Sequence, residues 1–314
     1  MKSKVKANVN IALIKYWGKK DEQLKLPFQP SLSFTLDQFY TITNLEYDKE
    51  IQADILYIDN QLANKEETKR VSQYLDEIRK RYQIPYYAKI NSENFVPKAA
   101  GLASSSSAFS ALALAATKAY GIELNKRELS TVARLGSGSA TRSIYSDFVL
   151  WHEGDSHESS YSEPLMRWSE FRIIVCLIEK GEKMIGSTLA MKASVNHPKY
   201  NQWIEQAKID LENMLIALKN RDINQLGKIA QQNAFMMHQL LKEVDINYFN
   251  ETTHQVLEKV IELQKKIPVY ATIDAGPNIK LITIENYVDE VINEFDGLVE
   301  MVVCKSGEGV IEVD

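Results

Sequence analysis

The chain has 314 residues, enough for two packed units, and its 45% apolar and 25% charged content is that of an ordinary globular protein, not a disordered or fibrous one. A formal net charge of −5 argues against non-specific nucleic-acid binding, which needs a basic face, but a few local Lys and Arg can still build a pocket for a small anion. Two cysteines with no CxxC pair argue against a zinc site or a dithiol redox motif and fit a reducing compartment; with no apolar run of membrane-spanning length and no signal-type N-terminal core, a cytoplasmic protein is expected.

Val5, Ala7, Val9 and Ile11 alternate with polar neighbours, which predicts a strand over 5–14. Strands are expected over 33–36 and 41–46, and 55–59 followed by Asn60-Gln61 reads as a hairpin turn. Charged, helix-prone 64–82 and strand-like 86–90 come next. The alanine-rich stretch 108–120 predicts a strong helix stopped by Gly121. Asn125 followed by Glu128 has the pattern of a capping box opening a second helix to about Leu135, and Gly136-Ser-Gly-Ser-Ala140 breaks it. In the second half, 171–178 around Cys176 reads as a buried strand. Helices are expected over 199–219, 222–241 and about 248–266, strands over 270–273, 280–284 and 300–304, and a helix over 286–295. Hairpins mix with helices, so the fold class is α+β in two layered units, 1–175 and 176–314.

Gly101-Leu-Ala-Ser-Ser-Ser-Ser107 precedes the alanine-rich helix. The first N–H groups of a helix lack intrahelical partners and carry the positive dipole end; small residues let a phosphate approach, and hydroxyls add donors. The other reading is a serine-capped helix in a small-residue packing contact, but a cap needs one serine and four stand here. The loop lacks the Gly-Lys-Ser/Thr ending of a Walker NTPase. The five histidines form no metal pattern, and His238 reads as structural.

Pro97 to Ser107 resembles the ATP-binding loop of the GHMP kinases, and three further segments narrow the resemblance to the diphosphomevalonate decarboxylase family. Asn10-Ile-Ala-Leu-Ile-Lys-Tyr-Trp-Gly-Lys19 resembles its N-terminal signature, Gly136-Ser-Gly-Ser-Ala-Thr-Arg-Ser143 its substrate loop, and Ile273-Asp-Ala-Gly-Pro-Asn-Ile-Lys280 its catalytic segment. The four occur in the family's order and spacing. The resemblance implies a GHMP kinase-like fold: an N-terminal unit like ribosomal protein S5 domain 2, a C-terminal ferredoxin-like unit, and the active site in the cleft between them. It also implies ATP with Mg²⁺, mevalonate 5-diphosphate as substrate, and a homodimer, without nucleic-acid or membrane partners. The implied reaction phosphorylates the C3 hydroxyl so that phosphate and CO2 can leave, giving isopentenyl diphosphate.

Carried over residue by residue, Asp274 is the implied base or orienter for the C3 hydroxyl. Read without the resemblance, it is a turn Asp bonded to its own backbone. Arg142 is implied to fork the C1 carboxylate; a surface salt bridge is its other reading. Lys15, in an apolar signature, needs a partner, either Asp274 or a phosphate. Tyr16, Lys19, Ser137 and Ser139 match positions that touch the substrate diphosphate, with Gly18 and Gly138 in the same two loops; Gly138 gives backbone access. Trp17 lies in the signature and reads as packing. Ser187 and Arg70 match substrate-side positions, Arg70 also reading as a solvated helix face. Gly101, Ala103, Ser104, Ser105, Ser106 and Ser107 are the ATP-side residues. Lys98, Gln29-Pro30, Ser146-Asp147 and Ser187 to Met191 depart from the family's usual residues, and Asp147 is expected to add negative charge near an anionic substrate. Within the same superfamily, a small-molecule kinase or a monophosphate decarboxylase fits the motifs, and a non-catalytic nucleotide-binding protein is a third reading.

Overall fold

A computed structural model describes residues 2–96, 104–178 and 185–314, with Ser104 through its backbone alone. The chain opens with β1 (Lys2–Ile14), a small hairpin of β2 (Lys19–Asp21) and β3 (Leu26–Pro27), and the long β4 (Ser31–Asp48). Then come β5 (Ile55–Ile58), β6 (Gln61–Leu62), α1 (Lys65–Tyr82), β7 (Tyr87–Phe95), α2 (Ser104–Ala119) and α3 (Lys126–Gly136). A 3-10 segment, Gly138–Ile144, leads to β8 (Phe148–Trp151), β9 (Ser162–Pro164) and β10 (Phe171–Leu177). The second half holds α4 (Ser187–Val195), α5 (Tyr200–Lys219), α6 (Ile223–Lys242), α7 (Glu251–Leu263), β11 (Tyr270–Ile273) and β12 (Ile279–Ile284), then α8 (Val288–Phe295), β13 (Glu300–Cys304) and β14 (Ile311–Glu312).

Two sheets carry this mixed α+β fold. The first runs β14-β1-β4-β7-β5-β6, with β8 also pairing β4 and β9 pairing β8. The second is an antiparallel four-stranded sheet, β11-β12-β10-β13. β1 buries alternate residues at its start and nearly every residue after Val9. The reason is packing on both faces. Val5 and Ala7 join the core under α1, α2 and α3, while Val9, Ile11 and Leu13 join a second core with Phe148, Phe171 and Met214. The second core ties the two sheets together, and a third lies between the second sheet, α7 and α8.

Several expectations meet a different local physics. The two strands expected over 33–36 and 41–46 are one strand, because β4 stays paired to β1 through a register shift between Asn8 and Asn10 instead of breaking. α2 starts at Ser104, four residues earlier than expected, so the serines form its first turn. Residues Gly101 and Ala103, with Lys98, lie outside the described residues. The boundary expected between 175 and 176 falls inside β10, and β14 returns to pair with β1 in the first sheet. No helix among the described residues is long and apolar enough to cross a membrane.

Candidate active site

Four element ends meet at one cavity of about 500 Å³: the residues after β1, the turn after α3, the first turn of α4 and the residues after β11. Each carries one of the sequence motifs or its neighbours. Lys15 follows β1 and is fixed on both sides of its backbone. Its N–H donates to Asn233 Oδ1 at 2.8 Å and its carbonyl accepts from Gln29 Nε2 at 3.1 Å. Asn233 in turn donates to buried Asp210 at 2.9 Å. The chain then turns sharply through Gly18, at φ +94°, where a Cβ would stand 1.9 Å from Tyr200 Oη. Tyr200 uses that hydroxyl to donate to the Trp17 carbonyl at 2.6 Å, so glycine is required for the signature to make its exit.

The Lys15 ammonium donates to the Ala12 carbonyl at 2.8 Å and to Asp274 Oδ1 at 2.7 Å. Lys280 approaches the other carboxylate oxygen, Oδ2, at 3.3 Å and donates to the Asn278 carbonyl. Asp274 is therefore held between two buried ammonium groups, with about a fifth of its own side chain exposed to the cavity. Burial pulls Lys15 below its usual range, and the Asp274 charge opposes that pull. His238, on α6, is held neutral by burial, at about 3.

Across the cavity, Arg142 is buried. It donates to Ser31 Oγ at 2.6 Å and lies over the Trp151 ring at 5.6 Å; no carboxylate forms an ion pair with it among the described residues. Its Nε and the Tyr16 hydroxyl are both buried without a hydrogen-bond partner. Burial lowers Arg142 to about 10 and pushes the Tyr16 phenol up. Orphaned buried donors lining a cavity are the signature of an anionic ligand that completes them.

The turn after α3 supplies the small hydroxyls. Ser137 and Ser139 Oγ lie 3.2 Å apart, and Asn10 donates to the Ser139 carbonyl at 3.0 Å. A Cβ on Gly138 would come within 2.8 Å of the Tyr16 ring. α3 aims this turn: its Asn125–Glu128 capping box fixes the helix start, and the Gly136 and Ser137 backbone ends it at the cavity. Lys19 and Ser187 also line the cavity, Lys19 paired with Glu22 at 3.0 Å. Trp17 lines it while donating to Ser194 Oγ, so its ring packs against α4.

A second cavity of about 290 Å³ adjoins the first through Arg70 and Ser105, which line both. Its walls are Leu56, Ile58, Val71, Phe109 and Leu112, with Ser92 and Asn94 as polar members. Arg70 is exposed at the rim and sits 4.9 Å over Phe109. Ser106 and Ser107 point elsewhere: both are fully buried, and Ser107 Oγ is 2.8 Å from Thr41 Oγ1. Asp147 occupies a left-handed turn before β8 and does not line the cavity, so its charge is not where the sequence places it.

Reading the sequence for single motifs misses Lys280, Asn233, Asp210, Gln29 and Lys25. The signal for Lys280 is present, since it closes the same segment as Asp274. Asn233 has a signal too: it is a polar residue on the buried stripe of α6. Asp210 and Gln29 carry none without the three-dimensional pairing.

Comparison with known proteins covers nearly the whole chain. Residues 7–162 match the model of the diphosphomevalonate decarboxylase-like N-terminal domain, and residues 173–308 that of the mevalonate 5-diphosphate decarboxylase C-terminal domain. A diphosphomevalonate decarboxylase of Schizosaccharomyces pombe is 31% identical over 97% of this chain and 83% of that one. The structure of MDDEF in complex with MVAPP, AMPPCP and magnesium superposes with a TM-score of 0.95 at 36% identity, over 100% of this chain and 99% of that one. Mevalonate diphosphate decarboxylase from Staphylococcus aureus superposes with a TM-score of 0.95 at 34% identity, over 100% and 98% of the two chains.

Proposed function

The chain belongs to the diphosphomevalonate decarboxylase family, and from that premise we propose how its own residues carry out ATP-dependent decarboxylation of mevalonate 5-diphosphate. The observation that carries the reading is Asp274, clamped between Lys15 and Lys280 and facing a cavity whose far wall holds the unsatisfied donors of Arg142 and Tyr16. A carboxylate flanked by two ammonium groups stays ionised, as a proton acceptor must.

Asp274 orients the C3 hydroxyl and takes its proton as the oxygen attacks the transferring phosphoryl group. Arg142 holds the C1 carboxylate, its guanidinium kept in place by Ser31 and Trp151. The C1–C2 bond then breaks, CO2 leaves from C1, the electron pair becomes the C2–C3 double bond, and phosphate departs from C3. Lys19, Ser137 and Ser139, with backbone access at Gly138, bind the substrate diphosphate. The nucleotide enters from the second cavity, its base against the Leu56–Phe109 walls and its phosphates at Ser105 and Arg70. Positioning two anions in one partly dry cleft supplies most of the catalysis.

A magnesium ion, when bound, would supply positive charge to the nucleotide phosphates, and few protein ligands would be needed to hold it. Ser105 Oγ, 3.4 Å from Ser137 Oγ at the junction of the two cavities, is the hydroxyl that fits it. Among the described residues no three His, Cys, Asp or Glu side chains cluster as a metal site. A homodimer is part of the same proposal, with light scattering as its check. Two free, buried cysteines support a cytoplasmic location.

The deciding experiment compares mevalonate, its 5-phosphate and its 5-diphosphate with ATP and Mg²⁺. CO2 and phosphate are expected together, and from the diphosphate at the highest kcat/KM. A stable phosphorylated product without CO2 would make the protein a kinase instead.

A further inference from the structure

Lys25 lines the main cavity, although it belongs to none of the four motifs. It sits just before β3 in a left-handed backbone conformation, φ +52°, which turns its side chain back toward the end of α3. There its ammonium donates to the Gly136 carbonyl at 2.9 Å and to the Leu135 carbonyl. Two of its three N–H donors are thereby used on the last turn of the helix that aims Ser137 and Ser139. The third remains for whatever occupies the cavity. No carboxylate hydrogen-bonds or ion-pairs with it among the described residues, so its charge is half-buried and only partly compensated.

The groups around it are mostly cationic. Lys19 on β2, Arg70 on α1 and Arg134 on α3 all repel its charge, and Glu22 in the β2–β3 turn opposes them. Burial first, then these neighbours, lower its pKa to about 8. Gathering several cations on three elements around one cavity is unfavourable in the empty protein. It becomes favourable when a multiply charged anion enters.

Resting on the functional reading above, we propose that Lys25 is a further binding residue for the diphosphate of the substrate, joining Lys19 and the Ser137–Ser139 turn. Its chemistry fits a phosphate better than a carboxylate fork, because an ammonium acts as a point charge and needs no bidentate geometry. The tether to Leu135 and Gly136 also links phosphate binding to the position of the serine turn.

The proposal has a pH signature that a purely structural lysine lacks. The unliganded ammonium is charged near neutrality and loses its proton as pH rises through about 8. KM for the diphosphate should therefore climb between about pH 7 and pH 9 in the natural protein. In Lys25→Arg, whose charge persists, that climb should flatten. In Lys25→Met, KM should be about tenfold higher already at neutral pH, with kcat changed far less. Calorimetric titration with inorganic pyrophosphate should show the same order of affinities among the three proteins. This arm needs no turnover, so it still decides the role of Lys25 if mevalonate 5-diphosphate proves not to be the substrate. The proposal is overturned if Lys25→Met binds pyrophosphate as the natural protein does, or if the KM climb persists unchanged in Lys25→Arg.

Discussion

Asp274 shows how one residue's role depends on partners distant in sequence. Its carboxylate is neutralised by Lys15, 259 positions away, and by Lys280, six positions on. Replacing it with Asn keeps the shape and removes the proton acceptor. Asp274→Asn should lower kcat by about 10³-fold with a native circular dichroism spectrum and melting temperature. Near-normal turnover would remove Asp274 from its role. Lys280→Met takes away one of the two ammonium groups that favour the ionised carboxylate. The midpoint of the acid limb of kcat/KM should then move up, while KM for ATP stays put. An unmoved limb would mean that Lys15 alone sets the charge state of Asp274. At Gly138 a methyl group would reach within 2.8 Å of the Tyr16 ring, so Gly138→Ala should raise KM for the diphosphate about tenfold through a displaced ring or turn.

At the scale of elements, α3 is the one whose sequence says most about the site. Asn125 and Glu128 announce its start, Gly136 its end, and the structure closes the capping box with Asn125 Oδ1 accepting from the Glu128 N–H at 3.0 Å. Asn125→Ala should cost about 1 kcal/mol in urea unfolding, with the pyrophosphate affinity nearly kept, since the C-terminal end of the helix is held separately by Lys25. A large loss of affinity with little change in stability would invert that division of labour. The long helices α5 and α6 were equally legible, because their buried residues recur at helical spacing. β8 and β9 were not, since four and three residues give no periodicity to read, and the pairing of β8 to β4 and of β9 to β8 is a tertiary event. α4 was missed for a similar reason: only Ala190 and Ser194 of its nine residues are buried, so it has no apolar stripe. Motif residues such as Lys15, Arg142 and Asp274 could be named from the chain, but Gln29 and Asp210 help hold Lys15, Asp210 by way of Asn233, through contacts that no local pattern encodes.

At the scale of the whole molecule, two buried histidines on different parts of the fold make stability depend on pH in one direction. His157 lies before β9, between Thr131 and Arg134 of α3, and His238 lies on α6 behind the Asp274 segment. Burial, reinforced by Arg81 and Arg134, holds His157 down at about 4; burial, reinforced by Lys15, holds His238 at about 3. The ordinary value is 6.5. Between these limits the unfolded chain binds more protons than the folded one, so stability rises with pH there. The contribution of each histidine is fully present above 6.5 and is lost as pH falls toward its folded value. The loss is at most about 3 kcal/mol for His157 and about 5 kcal/mol for His238. Neither residue is more than a tenth exposed, so solvent screening removes little of it. Urea unfolding of the natural protein should therefore show stability falling steadily from about pH 6.5 to pH 4.5. His157→Asn and His238→Asn should each have a shallower fall, whatever stability they lose at neutral pH. Because the two rings touch no common residue, the flattening should add in the double variant. A double variant that keeps the natural slope would place the acid sensitivity in other groups.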